Sequence, residues 1–188
     1  MKKSKIFIGI IVILVIIVSI LLILPSKKQE TIKVGAILQL TGTGSQYGEW
    51  AQQGIEIAKE EINKELINGK KLEIIYEDSQ GKVPIAISAF HKLRDLQDVK
   101  FFITQSSDVA LSIVPLSNEE KVIQMEIGAT TPLYKIENDF TFRTSITALQ
   151  LAKEEANFIS KIGIKKIGYL YTNDEYGQGM KNVFKESF

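Results

Sequence analysis

The chain has 188 residues, 24% of them charged, and its 23 basic residues nearly balance its 22 acidic ones. It contains no cysteine, which excludes disulfide bridges and removes the residue that usually carries the lipid of a bacterial lipoprotein. Basic residues do not alternate with aromatic ones along the chain, so we expect no nucleic-acid partner.

The first 30 residues predict a membrane anchor. The nineteen residues Ile6–Leu24 are apolar apart from Gly9 and Ser19, and a helix of roughly 20 residues spans the hydrocarbon core. This run exceeds the about 7–15 apolar residues of a secretory signal, and no Ala-x-Ala-like site follows it, so we favour an uncleaved anchor over a cleaved, secreted form. Lysines before the run favour an inside amino terminus and an extracytoplasmic body.

Residues 31–188 form the body, which is long enough for one full hydrophobic core. The leader holds five of the basic residues and one acidic residue, which leaves 18 basic and 21 acidic residues in the body and a net charge of −3. The exported part is therefore mildly acidic.

Strand and helix patterns alternate along the body. Apolar runs rich in β-branched residues predict strands at Ile32–Leu38, Leu72–Tyr76, Val99–Ile103, Val122–Ile127 and Ile167–Tyr171. Helical periodicity predicts helices at Trp50–Leu66, Pro84–Leu96, Val109–Glu120 and Ala148–Ile162, with a further helix starting after Gly179. This alternation indicates an α/β fold, a Rossmann-like parallel sheet flanked by helices.

Two features mark the organisation of the body. Asn68-Gly69 predicts a turn after the first helix. After Val122–Ile127 the rhythm changes to an extended stretch, Phe140–Thr144, so we place a boundary there, with one lobe at 31–144 and the beginning of a second at 145–188. Because the sequence stops within a helical pattern without a stop signal, we expect a longer protein.

The loops that follow the predicted strands are the candidate binding elements, since ligands of open parallel sheets bind beyond the carboxyl ends of the strands. They are Gln39–Glu49, Glu77–Lys82, Thr104–Asp108, Gly128–Pro132 and Asn173–Gly179. Three of them are rich in glycine and hydroxyl residues and lead into helices. Amide groups at a helix start, together with hydroxyls, suit a carboxylate or another small anion.

A nucleotide cofactor is disfavoured. The spacing Gly42-x-Gly44-x-x-x-Gly48 partly matches a dinucleotide fingerprint. The loop is too long for the tight turn, however, and the acids Glu77 and Asp78 come about ten residues later than a ribose partner should. We therefore expect no cofactor.

Catalytic and metal chemistry are equally unsupported. His91 is the only histidine and lies in a helical pattern among charged residues, there is no Gly-x-Ser-x-Gly elbow, and Ser107 has no evident base. With no cysteine and one histidine, only scattered carboxylates remain as metal ligands. We expect neither a metal site nor enzyme activity.

Short motifs in a fixed order carry a resemblance. They are Ile32-Lys-Val-Gly-Ala36, Leu40-Thr-Gly42 and Gln46-Tyr-Gly48, then Ser106-Ser107 ahead of a helix with Pro115, then Gly128-Ala-Thr-Thr-Pro132, Phe142-Arg-Thr144 and Asp174-Glu-Tyr-Gly-Gln-Gly179. Together they resemble the extracytoplasmic solute-binding proteins of branched-chain amino acid ABC transporters, which have the type I periplasmic binding protein fold. The resemblance covers residues 31–188, which would match the first half of such a protein.

The resemblance implies a set of ligand contacts. Ser107 would hold the α-carboxylate of the ligand, and Thr130 would contact the zwitterion through its backbone N–H and hydroxyl. The carbonyl of Gly128 would accept a hydrogen bond from the α-ammonium. Tyr47 and Tyr176 would line the part of the cleft that receives the ligand side chain.

Alternative roles stay open for these residues. Ser106 replaces Ser107 as the candidate if the loop register is shifted by one. Gly128 would otherwise only permit a turn, and Thr130 would only cap the segment that follows it. Tyr47 would otherwise be a hydrophobic staple before the first helix.

The implied function is a two-lobe clamp that captures an amino acid, or a related small carboxylate or amide, and delivers it to an ABC permease. The acidic partner of the ammonium would lie beyond Phe188, which leaves amides, urea and aromatic acids open as ligands. With only part of a second lobe, we expect this chain to bind weakly or not at all. The alternatives are a sensory ectodomain of the same fold and, third, an exported enzyme with catalytic residues outside this chain.

Overall fold

A computed structural model describes residues 30–131 and 140–188. The predicted membrane helix Ile6–Leu24 and Pro132, the end of one candidate loop, lie outside these residues. Within the two described ranges, no helix combines the length and the apolar character needed to cross a bilayer.

Five parallel strands form one sheet in the order β2-β1-β3-β4-β5. The strands are β1 (Thr31–Leu38), β2 (Lys71–Asp78), β3 (Phe101–Thr104), β4 (Ile123–Glu126) and β5 (Thr141–Arg143). The helices are α1 (Ser45–Glu65), α2 (Val83–His91, continued by a π-helical turn at Lys92–Leu96), α3 (Ser107–Glu120), α4 (Ala148–Lys161) and α5 (Glu175–Ser187). The predicted parallel α/β sheet with flanking helices is confirmed.

The strand β1 lies between β2 and β3 and bonds to β2 along its whole length and to β3 over Val34–Ile37. Its last three residues, Ala36–Leu38, are fully buried. On one face of the sheet, helices α2 and α3 complete a core in which the rings of Phe90 and Phe102 lie 4.6 Å apart between centroids. Burying each such side chain contributes about 1.5–3 kcal/mol.

The two faces of β3 and β4 differ in an unexpected way. Thr104, Gln124 and Glu126 are fully buried, whereas Phe101 and Ile123, paired in register on the other face, are 43% and 37% exposed. The buried polar groups bond to one another: Gln124 Nε2 donates to Thr104 Oγ1 at 2.9 Å and to the carbonyl of Ala110 at 3.1 Å. This network lies directly under the loop that follows β4.

Three predicted boundaries require correction. Helix α1 begins at Ser45, five residues before the predicted Trp50, so the preceding loop is short. Helix α5 begins at Glu175, inside the predicted loop Asn173–Gly179, because Asp174 caps it and accepts a hydrogen bond from the N–H of Gly177 at 2.8 Å. Helix α3 begins at Ser107 rather than Val109.

The predicted strand Ile167–Tyr171 is wrong. It is not a strand, because a strand needs a hydrogen-bonded neighbour and the described residues supply none. Its apolar residues instead serve a small core between α4 and α5, against which Ile167 and Tyr169 pack, while Leu170 is fully exposed. The predicted extended stretch Phe140–Thr144 is correct, since it contains β5.

The predicted turn at Asn68-Gly69 is confirmed. Both residues have positive φ, 51° and 77°, and they close a bridge between Ile67 and Lys70. This is the conformation that an Asn-Gly pair adopts most readily. Residues from Thr31 on form one compact unit, and the division into lobes at residues 144 and 145 stays a prediction.

Candidate functional site

A cleft of about 500 Å³ lies at the carboxyl ends of β1, β3 and β4. Each of these strands is followed by a loop, and the loops meet because parallel strands end at the same edge of the sheet. The segment before α5 and the first turn of that helix also contribute lining residues. The lining residues are Gln39, Tyr47, Gln105, Ser106, Ser107, Asp108, Ile127, Gly128, Thr172, Asp174 and Tyr176.

Five of the six predicted ligand contacts line this cleft: Tyr47, Ser106, Ser107, Gly128 and Tyr176. Thr130 is not among the lining residues and lies two positions beyond Gly128 in the same loop. The structure therefore brings together residues from four separate loops that the sequence singled out. What these residues bind stays a prediction.

Ser107 is the first residue of α3 and is only 4% exposed. Its Oγ is buried and has no hydrogen-bond partner among the described residues. The preceding residue, Ser106, has a φ of 75°, an uncommon value for a non-glycine residue, which turns the chain sharply from β3 into α3. A hydroxyl that is buried without a hydrogen-bond partner costs about 1–3 kcal/mol.

Thr130 has the second buried, unpartnered hydroxyl of the candidate set within the described residues. Its backbone is engaged, since its carbonyl accepts a hydrogen bond from the N–H of Ala148 at the start of α4, with a distance of 2.5 Å. The hydroxyl that caps α4 belongs instead to Thr147, which forms a capping box with Gln150. Thr130 thus carries a free hydroxyl on a fixed backbone.

The loop after β4 is held from two sides. Glu126 Oε1 accepts a hydrogen bond from the N–H of Ala129 at 2.7 Å, and its Oε2 accepts one from Thr104 Oγ1 at 2.8 Å. Arg143 Nη1 donates to the carbonyl oxygens of Thr131 and Ala129 at 3.1 and 3.5 Å. The backbone of residues 128–131 is therefore fixed by a carboxyl group on one side and a guanidinium on the other.

Glu126 has a strongly perturbed acidity. Burial raises its pKa to about 8, although the hydrogen bonds from Thr104 and from the backbone N–H groups of Ala129 and Gly128, and the charge of Arg143, act in the opposite direction. Sequence reasoning missed this residue. The available signal was a charged residue inside the apolar run Val122–Ile127.

The two candidate tyrosines occupy matching positions. Tyr47 lies in the first turn of α1 and Tyr176 in the first turn of α5. Tyr47 is 66% exposed and meets the ring of Trp50 edge-on, with centroids 5.6 Å apart. Because Tyr47 lies inside the helix rather than before it, the staple interpretation is wrong.

Each tyrosine is followed by a glycine that lies very close to the backbone of the preceding segment. A Cβ atom on Gly48 would lie 2.0 Å from the carbonyl oxygen of Gln39, and one on Gly177 would lie 2.1 Å from that of Thr172. No side chain fits at such distances, so each helix can begin directly against the preceding segment only with glycine there. This places both tyrosines at the cleft.

Asp78, considered above as a ribose partner, has a structural role. Its Oδ1 accepts hydrogen bonds from the N–H groups of Leu40, Thr41 and Gln80 at 3.0, 3.2 and 2.8 Å, and its Oδ2 accepts one from the Thr41 hydroxyl. Burial opposes ionisation of Asp78, but these hydrogen bonds dominate and lower its pKa. The residue fixes the loop between β1 and α1.

Several cleft residues were missed individually although their loops were singled out. Gln105 Oε1 accepts a hydrogen bond from the N–H of Gln39 at 3.2 Å, which joins two of the loops. Asp108 and Asp174 bring two carboxyl groups to the lining, and the lining residues described include no lysine or arginine. Within the described ranges, no three potential metal ligands lie together. Among its lining residues the cleft thus offers the unpartnered hydroxyl of Ser107 and the carboxyl groups of Asp108 and Asp174.

Comparison with known proteins gives consistent matches. The family model described as periplasmic binding protein matches residues 31–188. A Leu/Ile/Val-binding protein homolog of Brucella melitensis is 29% identical over 166 residues, which is 85% of this chain and 44% of that protein. The chain thus spans less than half the length of this relative.

Two solved structures extend the match to the fold. A substrate-binding protein of a branched-chain amino acid transporter from Streptococcus pneumoniae, in complex with isoleucine, is 25% identical with a TM-score of 0.76, covering 85% of this chain and 47% of that one. A solute-binding protein of an ABC transporter from Rhodopseudomonas palustris, in complex with 3,4-dihydroxybenzoic acid, is 26% identical with a TM-score of 0.76, covering 84% and 44%.

Proposed function

Since this chain belongs to the periplasmic binding protein family, whose members are solute-binding proteins found outside the cytoplasm, we propose that it captures a small amino acid of the branched-chain type for an ABC importer. The ligand would bind in the cleft at the carboxyl ends of β1, β3 and β4. Delivery to a membrane permease and closure of a second lobe over the ligand are parts of this proposal.

The observation that carries the proposal is the pair of unpartnered buried hydroxyls, Ser107 Oγ and Thr130 Oγ1. Both belong to loops at one edge of the sheet, and Ser107 also begins a helix of fourteen residues, whose amide groups favour an anion. A ligand carboxylate would accept hydrogen bonds from both hydroxyls. Each bond to a charged group contributes about 1.5–3 kcal/mol.

The acidic groups of the cleft support an amino acid over a simple carboxylic acid. Asp108 and Asp174 line the same cleft as Ser107. Carboxylates near the site attract an ammonium group and repel a second anion. One relative binds isoleucine and another binds 3,4-dihydroxybenzoic acid, so this charge distribution is the feature that favours the amino acid.

Anchoring by the apolar run Ile6–Leu24 is also part of the proposal and rests on the sequence alone. A tethered binding protein would stay near its permease, which raises its effective concentration there.

The test is a titration of the full 188-residue chain, kept in a mild detergent because of its apolar leader, followed by two-dimensional amide NMR. The ligands are L-isoleucine, L-leucine, 3,4-dihydroxybenzoate and urea, and NMR is chosen because it detects millimolar binding. We expect the branched-chain amino acids to shift the amide signals of Ser107 and Thr130. Trp50, the only tryptophan, gives a second readout through its contact with Tyr47.

The matching variants are Ser107→Ala with Thr130→Val, and Ser112→Ala as control. Ser112 lies on the same helix, but its hydroxyl already donates to the carbonyl of Val109 at 2.8 Å. Loss of two hydrogen bonds to a charged group predicts at least about a tenfold weaker affinity for the double variant and no change for the control. Unchanged binding by the double variant, or binding of 3,4-dihydroxybenzoate or urea but of no amino acid, would contradict the proposal.

A further inference from the structure

We infer that Glu126 and Arg143 act as a clamp on the backbone of residues 128–131, and that this clamp makes solute affinity depend on pH. The inference concerns positioning residues beneath the cleft rather than a further ligand contact. Its binding arm rests on the proposed function, whereas the clamp itself is testable without any ligand.

The geometry defines the clamp. The carboxyl of Glu126 is fully buried and accepts a hydrogen bond from the N–H of Ala129. Ala129 lies between the two candidate contacts Gly128 and Thr130. The guanidinium of Arg143 donates hydrogen bonds to the carbonyl oxygens of Ala129 and Thr131, on the other side of the same loop. Ala129 is therefore bonded at both its backbone donor and its backbone acceptor, to the Glu126 carboxyl and the Arg143 guanidinium.

The second oxygen of Glu126 is held as firmly as the first. It accepts from Thr104 Oγ1, and that hydroxyl in turn accepts from Gln124 Nε2. Gln124 is fixed by the carbonyl of Ala110 on α3. The clamp therefore connects the loop to β3, β4 and α3, so a change in the carboxyl reaches the loop rather than being absorbed by side-chain rotation.

The surroundings make the carboxyl titratable in a useful range. The hydrogen-bond partners of the carboxyl, Thr104 of β3 and the backbone N–H groups of Gly128 and Ala129, are neutral, and the charged group acting on it is Arg143 of β5. Burial raises the pKa of Glu126 to about 8, so the carboxyl is mostly protonated at neutral pH and ionises as the pH rises further.

Ionisation has a predictable sign for binding. A negative charge behind Ala129 lies beside Thr130, whose hydroxyl would donate to the ligand carboxylate, and like charges repel. Affinity for L-isoleucine should therefore be constant below neutral pH and fall about tenfold as the pH rises from 7 to 9, the order expected of one charge acting through a partly polar interior.

The first arm of the experiment needs no ligand. In the full chain, the amide proton signal of Ala129 is followed from pH 5.5 to 9.5, and we expect a titration with a midpoint near 8 that is absent in Glu126→Gln. Amide hydrogen exchange at Ala129 should be slow in the parent and in Glu126→Gln, whose side-chain oxygen still accepts, and at least tenfold faster in Glu126→Ala. A flat Ala129 signal in the parent would overturn the clamp.

The second arm measures L-isoleucine affinity against pH. We expect the decline above pH 7 in the parent and in Glu120→Gln, a control at the far end of α3 where Glu120 pairs with Arg94, and its absence in Glu126→Gln. The same decline in Glu126→Gln would overturn the pH coupling. If 3,4-dihydroxybenzoate or urea binds but no amino acid does, while the Ala129 signal titrates, the proposed function fails and the clamp stands.

Discussion

Two corners of this molecule bring a tyrosine to the cleft in the same way, but different contacts stabilise them. The first corner, Gln39–Gly48, leads from β1 into α1, and the second, Thr172–Gly177, leads from an extended segment into α5. Each ends in a Tyr-Gly pair whose glycine lies against a carbonyl oxygen, and each brings its tyrosine to the cleft.

The supports differ in kind. The first corner follows a strand bonded on both sides, and Asp78 fixes its loop through the N–H groups of Leu40 and Thr41. The second corner follows a segment without strand pairing among the described residues and depends on the Asp174 cap and a long 3.4 Å bond from the N–H of Glu175 to Asp108. We therefore expect the first corner, which is fixed by the sheet, to be more rigid than the second corner, which is fixed by a helix cap and one long hydrogen bond.

The largest effect is expected from an added methyl group at the glycines. Gly48→Ala should lower the free energy of unfolding by about 3 kcal/mol, because the carbonyl of Gln39 cannot move out of the sheet edge. Gly177→Ala should lower it by only about 1 kcal/mol, because the unpaired segment at Thr172 can yield. Urea unfolding measures both, and equal losses would contradict the difference between the corners.

Removal of Asp78 should have the next largest effect. Asp78→Ala leaves the N–H groups of Leu40, Thr41 and Gln80 without their acceptor, at a cost of about 2 kcal/mol near neutral pH. The pKa of Asp78 is lowered on folding, so its stabilisation is present above its ordinary pKa and is lost as the pH falls through the folded value. The stability difference between parent and variant should therefore shrink on acidification from about pH 5 towards 2. A constant difference would contradict the assignment.

The smallest effect is expected at the cap of the second corner. Asp174→Ala removes the acceptor for the N–H of Gly177 and should cost about 1 kcal/mol. Asp174→Asn, which keeps a capping oxygen, should restore most of this loss. Amide hydrogen exchange in the first turn of α5 checks the result. Faster exchange in α1 as well would show that the two corners are not independent.

The sequence predicted the sheet well where an element is decided by its own residues. Within the residues that the structure describes, alternation of apolar runs and helical periods located four of the five strands and all five helices, with boundary errors of a few residues. It failed at Ile167–Tyr171, because a β-branched run describes what a residue prefers and not whether a neighbouring strand is present.

The same distinction between local and tertiary features applies to the candidate site. The loops were predictable because parallel strands end together, so Ser107 and Gly128 could be expected at one edge of the sheet. Gln39, Gln105 and Asp108 could not be selected, since amide and carboxyl residues are common in loops and only their distances give them a place in the cleft. Glu126 could not be selected either, because the sequence of a short apolar run does not show which face of the sheet each side chain occupies.

The sequence by itself determined the class of fold, the order of its elements and the loops that hold the cleft, because periodicity and turn chemistry are local properties of the chain. The tertiary structure alone decided which hydroxyls remain unpartnered, that Glu126 and Arg143 hold one loop from opposite sides, and that each tyrosine depends on the glycine beside it. Those properties depend on distances between residues far apart in the chain, and no local pattern contains them.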